Sequence, residues 1–382
     1  MNIMFIIYEF PPIGAGASNA AFFLGREMVK KGHNVTVITA KYGKSIGYEK
    51  IHGVKVYRII SLRRSIDRSN LFEICAFGLS CALFIQKIAS KNMIDCSVAF
   101  FTIPSGIPAY FLKLTKNIPY IVSLRGGDVP GFVPELNRIH YYTKYFRHKI
   151  LGMSNAVVAN SEGLKTLSEA YDPYKVNAIS NGVDADFFTP HEKSPSNKNT
   201  YKFLFVGRFT KQKNLFFILK QMNIVSKFYT DEFEIHFLGG GPDETLLKSY
   251  SMHLDISDKI YWHDWATKKE VRKHYQISDC LLLPSLYEGM SNALLEAMAC
   301  SLPVVASDIP ANSQVVINGK TGFLFGLDEP EQFRKIIVHI LKNKTVSRNM
   351  GRKAREVVLK HHTWEKVSEN YLDLLIEDES GF

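Results

Sequence analysis

The chain is poor in cysteine: Cys75, Cys81, Cys96, Cys280 and Cys300 are all it has in 382 residues, an odd number with no Cys-x-x-Cys pair. With no such pair and no ligand-like His/Cys spacing, neither a disulfide framework nor a zinc site is expected. Reduced core thiols in a cytosolic compartment are the simplest reading. No basic segment precedes the apolar start at residues 1–7, which runs into Pro11-Pro12, so it reads as a buried first strand rather than a secretory signal. An uninterrupted apolar run of about 20 residues, the length a bilayer demands, is also missing. The nearest stretch, residues 71–85, is shorter and carries Glu73, so it is not expected to span. It fits a core or interdomain helix, or a helix lying on a membrane surface beside Arg63, Arg64 and Arg68. A tight basic-aromatic motif for nucleic acid is absent as well, and no nucleic-acid partner is expected.

An acidic balance is missing from the first half only. The net charge is +10, and residues 1–190 hold 22 Lys+Arg against 13 Asp+Glu, while the remainder holds 25 against 24. The N-terminal half therefore suits a phosphorylated substrate or an anionic membrane leaflet.

What is present is a repeated alternation of short apolar runs with longer helical stretches. The runs fall at 2–8, 34–39, 54–60, 96–101, 119–123 and 156–159, then at 202–206, 233–238, 258–262, 280–283 and 303–306. Apolar runs spaced by helices indicate parallel sheets covered on both faces, and two series indicate two doubly wound α/β domains. A polar, proline-bearing stretch at about 186–200 separates them, so the boundary is expected there.

Ligands of open parallel sheets bind beyond the carboxyl ends of the strands, which directs attention to the residues after each run. The strongest signal is the segment 283–299, where a strand ends at Pro284, a polar loop follows, and Ser291 can cap a helix beginning near Asn292. The amides of 291–294 and the helix dipole would favour a phosphate there, with Gly289 and Met290 in the approach. Glu288 precedes that helix and Glu296 sits on its apolar body, where a buried carboxylate needs donors such as sugar or ribose hydroxyls. A surface Glu and a Glu satisfied by a neighbouring group are the plainer alternative. After the run at 202–206, Gly207 and Arg208 are followed by Lys213, two cations that can face one anion or form a solvated basic turn. A third strand ends in Gly239-Gly240-Gly241-Pro242, a tight turn that could let a nucleotide approach the backbone.

Gly-Arg-x-x-x-x-Lys, then Gly-Gly-Gly-Pro, then Glu288 and Glu296 with seven residues between them resemble the retaining family-4 glycosyltransferases of the GT-B fold. The match is specific over about 200–310. Asn181-Gly182-Val183-Asp184 and Pro11-Pro12-x-Gly14-x-Gly16 extend a weaker similarity over nearly the whole chain. The resemblance implies two Rossmann-like domains facing across a cleft: 1–190 for the acceptor, 200–362 for a nucleotide-sugar donor, and a helix within 363–382 crossing back to the first domain. It further implies that Arg208 and Lys213 hold the donor diphosphate, that Glu288 touches the donor sugar and that Glu296 takes the ribose.

With charge developing on a departing diphosphate beside Arg208 and Lys213, no metal or other cofactor is expected. Gly14 and Gly16, after the first strand, are further candidates for the donor side, facing either the donor phosphate or the acceptor. A dinucleotide fingerprint there would need a third glycine where Asn19 stands. At Leu124-Arg125-Gly126-Gly127-Asp128 this chain departs from the histidine common in the family. Asp128 is the favoured replacement, with Arg125, Thr102 and Ser105 as acceptor-side candidates and a salt bridge within the loop as the plainer reading. Residues 141–149, with Tyr141, Tyr142, Lys144, Tyr145, Arg147, His148 and Lys149, read as a solvated helix face or as a grip on a lipid pyrophosphate.

The expectation is thus a cytoplasmic, metal-independent retaining transferase, with a possible peripheral position on the inner membrane face. Its partners would be a UDP- or GDP-sugar and a glycan or lipid-linked glycan of bacterial surface polysaccharide, of the lipopolysaccharide or O-antigen kind. A nucleotide-sugar epimerase of the same architecture, or a non-catalytic nucleotide-sugar binder, stands as the alternative.

Overall fold

The computed structural model describes residues 1–14, 16–41, 43, 47–62, 71–191, 200–229 and 232–376, leaving aside the side chains of Leu71 and Cys75. Arg63, Arg64 and Arg68, and most of the polar stretch at 186–200, lie outside these. The chain divides into two compact units, Met1–Gly182 with Trp364–Phe382, and Val183–Thr363. The division falls at Gly182–Val183 rather than within the later polar stretch, because Val183 and Phe188 are already buried in the core of the second unit. Val183 also pairs with Thr363, and its N–H donates to the His362 carbonyl at 2.8 Å, so the outgoing and returning segments run side by side there.

The first unit carries strands β1 (Asn2–Ile6), β2 (Asn34–Ala40), β3 (Gly47–Ile51), β4 (Val54–Ile59), β5 (Cys96–Phe100), β6 (Tyr120–Leu124), β7 (Ala156–Ala159) and β8 (Val176–Ala178). They form one sheet in the order β3-β4-β2-β1-β5-β6-β7-β8. All neighbouring pairs are parallel except β3 with β4. The exception is a hairpin closed by His52 and Gly53, both at positive φ (47° and 87°), as a two-residue turn of matching twist requires.

Helices cover both faces of this sheet. On one face α2 (Leu71–Lys91), α3 (Gly106–Lys116) and α4 (Asn137–Met153) share a core with Met4, Ile6, Ile38 and Val122. On the other, α1 (Gly16–Lys30) packs with the last helix, α13 (Trp364–Ile376), where Trp364 stacks on Phe23 with ring centroids 5.6 Å apart. The remaining helix of the unit is α5 (Glu162–Tyr171).

The expectation for the apolar stretch at 71–85 is corrected in length. The helix continues through Gln86–Lys91 to 21 residues, about 31 Å at 1.5 Å per residue. Among the described residues it is long and apolar enough to cross a membrane by length and composition, yet Phe77, Cys81, Ile85 and Ile88 are packed into the sheet. Cys81, Cys96, Cys280 and Cys300 are buried and in no disulfide.

The second unit holds β9 (Tyr201–Arg208), β10 (Phe233–Gly240), β11 (Ile260–His263), β12 (Cys280–Leu283), β13 (Val304–Ser307) and β14 (Gly322–Phe325), in the order β11-β10-β9-β12-β13-β14 and parallel throughout. Its helices are α6 (Leu215–Phe228), α7 (Glu244–His253), α8 (Lys268–Ile277), α9 (Asn292–Ala299), α10 (Pro310–Ser313), α11 (Pro330–Lys342) and α12 (Lys344–His361). In each sheet the chain builds outward on one side and then returns to build on the other. The strand order reverses between β1 and β5 in the first sheet and between β9 and β12 in the second. Such switch points open a crevice at the strands' carboxyl ends.

Candidate active site

At the switch point of the second sheet, the segments that leave β9 and β12 are tied together. The Leu286 N–H donates to the Gln212 carbonyl at 2.8 Å, and the Gln212 side-chain amide donates to the Tyr287 carbonyl at 2.8 Å. Lys213 Nζ pairs with Glu288 Oε1, two side chains 75 positions apart in sequence. Both are largely shielded from solvent, and Glu288 also accepts from Ser285 Oγ at 2.7 Å. A lysine and a glutamate side chain held together with little water fix one another in place. Ser285 is fixed in turn: its carbonyl accepts from Ser307 Oγ at 2.6 Å, and Asn312 Nδ2 donates to the Ser307 carbonyl at 2.9 Å. Arg208, the last residue of β9, is exposed beside this pair in sequence and register-paired with Gly240.

The glycine turn has a different use from the one its composition suggests. Gly239 has φ +141°, and a Cβ there would lie 2.0 Å from the Gly207 carbonyl oxygen; a Cβ on Gly241 would lie 2.4 Å from that of Phe209. These two glycines are demanded by the close approach of the β9 and β10 ends. Gly240 stands apart: a Cβ there would meet Glu244 and the indole nitrogen of Trp265, each at 3.3 Å. The exposed Trp265, after β11, brings the nitrogen edge of its indole to this turn, which no pattern in the sequence signals.

Ser291 caps α9, its hydroxyl accepting from the Leu294 N–H at 3.4 Å, and the Leu295 N–H goes to the Ser291 carbonyl. The Leu294 amide is thus committed to the cap, which corrects its inclusion among the amides of a phosphate seat. Gly289, Met290 and Ser291 are buried in the loop, and Asn292 opens the helix. Glu296 lies one turn further along, where its Oε2 accepts from the Tyr275 hydroxyl at 3.0 Å. Burial raises the Glu296 carboxyl to about 7, against the Tyr275 hydrogen bond and the charge of Lys268, which lower it. Sequence reasoning gave Glu296 no named partner; the partner is a tyrosine from α8, 21 residues earlier.

In the first unit the segments after β1, β5 and β6 gather the remaining candidates. Asp128 is buried and wholly engaged: Oδ2 accepts from the Thr102 N–H at 3.0 Å and its hydroxyl at 3.4 Å, and Oδ1 from the N–H groups of Arg125 at 2.9 Å and Gly126 at 3.1 Å. Burial raises its pKa while these backbone donors hold it down. The salt bridge imagined within this loop does not form. Instead Arg125 Nη1 donates to Asn181 Oδ1 at 2.8 Å, Nη2 to the Tyr371 hydroxyl at 3.3 Å, and the guanidinium lies 5.0 Å above the Phe100 ring. Ser105 is fully buried before α3 with its hydroxyl unpartnered, so it lines no surface. Gly14 has φ +91°, and a Cβ would stand 2.7 Å from those of Glu9 and Ser18; Gly16 begins α1. Of the run on α4, Arg147 is buried in a bidentate pair with Asp172 at 2.7 and 3.0 Å rather than on a solvated face.

Two family models match, head to tail: the one described as glycosyltransferase family 4 over residues 14–187, and the one described as glycosyl transferases group 1 over 186–357. The chain is 23% identical over 400 residues, covering all of both proteins, to N-acetyl-alpha-D-glucosaminyl L-malate synthase of Bacillus anthracis. It is 28% identical over 225 residues to UDP-Gal:alpha-D-GlcNAc-diphosphoundecaprenol alpha-1,3-galactosyltransferase of Escherichia coli, covering 55% of this chain and 57% of that one. Its structure matches sucrose-phosphate synthase from Thermosynechococcus elongatus with a TM-score of 0.84 at 18% identity over the whole of both chains.

Proposed function

Because the chain belongs to the family-4, group 1 glycosyltransferases of GT-B fold, we propose that it transfers a sugar from a UDP- or GDP-sugar with retention of anomeric configuration and without a metal. The acceptor is a glycan or lipid-linked glycan, and the setting is cytoplasmic assembly of a bacterial surface polysaccharide. The observation that carries this reading is the Lys213–Glu288 pair at the β9–β12 switch point, held where the Gln212 and Tyr287 loops are tied together, with the exposed Arg208 at the end of β9. The named donor and lipid diphosphate acceptor of the Escherichia coli relative support the substrate class.

Departure of a nucleoside diphosphate puts negative charge on phosphate oxygens as the sugar carbon becomes cationic. Arg208 and Lys213 stabilise the leaving charge, and the N-terminal end of α9 adds a favourable dipole. Two fixed cations supply the neutralisation that a divalent ion gives elsewhere. On arrival the diphosphate takes Lys213 from Glu288, and the released carboxylate accepts from donor-sugar hydroxyls. Glu296 accepts from the ribose, with Tyr275 fixing its orientation. Gly240 and Trp265 border the nucleotide. Arg125 serves the acceptor, while Thr102, as buried as Ser105, acts with Asp128 by holding the loops after β5 and β6 together.

The test is mass spectrometry and proton NMR of products after incubation with a panel of UDP- and GDP-sugars, with and without oligosaccharide or polyprenyl-diphosphate acceptors, and with EDTA. The reading expects one donor to yield free nucleoside diphosphate and a glycosylated acceptor of retained configuration, undiminished by EDTA. Conversion of the donor to an isomeric nucleotide sugar without acceptor would overturn it, and loss of activity in EDTA restored by a divalent ion would overturn its metal clause.

A further inference from the structure

Helix α2 is apolar on two opposite sides. Phe77, Cys81, Ile85 and Ile88 face the sheet, and about 180° around the helix Phe72, Leu79 and Leu83 form a second stripe at spacings of seven and four. That second stripe is open to solvent, Leu79 at 72% and Leu83 at 79% exposure. Scattered exposed leucines need no explanation, whereas a helix apolar all round is one that wants covering on both sides.

α4 sits on the same face of the sheet, with α3 between the two. Its outer stripe reads Arg138, Tyr141, Tyr142, Tyr145, Lys149, opposite the buried Arg147, Ile150 and Leu151. Tyr141 and Tyr145 are 77% and 68% exposed, and the Lys149 ammonium lies 5.7 Å above the Tyr145 ring. Across α2, α3 and α4 there are eight Lys and Arg residues and one acid, Glu73, which is buried.

We propose that the outer face of α2, α3 and α4 docks on an anionic membrane surface. Leucine and phenylalanine on α2 enter the boundary between headgroups and acyl chains, tyrosines on α4 occupy the headgroup level, and Arg138, Lys144 and Lys149 meet lipid phosphates. The helices lie in the plane of the membrane, since drawing α2 across it would strip Phe77, Cys81 and Ile85 from the sheet. Charge selects this occupant over a second copy of the chain. Two such faces would oppose cation to cation with no exposed carboxylate on these helices to compensate, whereas phosphate headgroups complement the exposed cations, all but the Asp172-paired Arg147.

The experiment is flotation of the full chain with vesicles of phosphatidylcholine alone or mixed with phosphatidylglycerol, alongside calorimetric titration with UDP and GDP. Wild type is expected to float with the mixed vesicles and to stay down with phosphatidylcholine. Leu79→Glu with Leu83→Glu is expected to lower the floated fraction at least about tenfold, and Lys144→Glu with Lys149→Glu to abolish the preference for phosphatidylglycerol. All should bind nucleotide as wild type does, and Tyr141→Ser with Tyr145→Ser provides a milder pair should the first misfold. Wild type absent from mixed vesicles, or a leucine pair floating as well as wild type, would overturn the proposal. So would a solution dimer that the leucine pair dissociates while neither form floats. Loss of nucleotide binding by wild type itself would count against the proposed transfer and leave docking to be judged by flotation alone.

Discussion

Replacing Glu296 by glutamine should make the unliganded protein more stable at alkaline pH while weakening its hold on the donor. The carboxyl rises from 4.5 in an open chain to about 7 in the fold, a difference worth about 3 kcal/mol in favour of the protonated folded state. The sign follows from the raised value. The contribution is fully present below about pH 4.5, is lost as pH rises through 7, and above that the folded chain holds a carboxylate it would rather neutralise. Glutamine never ionises, so Glu296→Gln should match wild type near pH 5 and exceed it by up to about 3 kcal/mol near pH 8. Urea unfolding at the two pH values measures this, with each variant compared to wild type at the same pH. The amide can still accept from Tyr275, yet it loses charged hydrogen bonds to ribose hydroxyls worth about 1.5–3 kcal/mol each, so nucleotide affinity should fall about tenfold or more. A site kept at a cost to stability is the signature of ligand binding. Equal stability gains at pH 5 and pH 8, or unchanged nucleotide affinity, would refute the reasoning.

Glu288→Gln should keep the Ser285 hydrogen bond and the fold, seen by circular dichroism, while turnover falls about 100-fold or more as the carboxylate that meets the sugar is removed. Gly239→Ala should destabilise by more than about 2 kcal/mol in thermal or urea unfolding, since alanine is strained at φ +141° and its Cβ meets the Gly207 carbonyl. Asp128→Asn should lower stability and turnover together if the residue acts by organising the loops. Turnover abolished at wild-type stability would instead mark it as a group that meets the substrate.

Much of this was legible in the sequence where burial on both faces imposes a signal. All eleven apolar runs became strands, ten of them inside a sheet covered by helices and one, β11, at a sheet edge. The strands that went unread, β3, β8 and β14, are edge strands of their sheets. Tyr48, Glu49 and Lys50 on β3 are exposed, so no apolar run could form there. Arg208, Lys213, Glu288 and Glu296 could be named because strand ends and glycine turns mark their positions. Their partners could not: Ser285, Gln212 and Tyr275 reach the site through packing of α8 and two loops, which no local pattern encodes. The close strand packing that Gly239 serves went unread for the same reason, because its neighbour is the backbone of another strand.

The central claim, that the β9–β12 switch point binds a nucleoside diphosphate through Arg208 and Lys213, is tested most directly by calorimetric titration of UDP and GDP into wild type and Arg208→Ala/Lys213→Ala. One nucleotide should bind wild type at a single site, with affinity at least about 100-fold lower in the double variant, because two charge-assisted hydrogen bonds to the diphosphate are then missing. Equal affinity in both proteins, or no binding of either nucleotide to wild type, would contradict it.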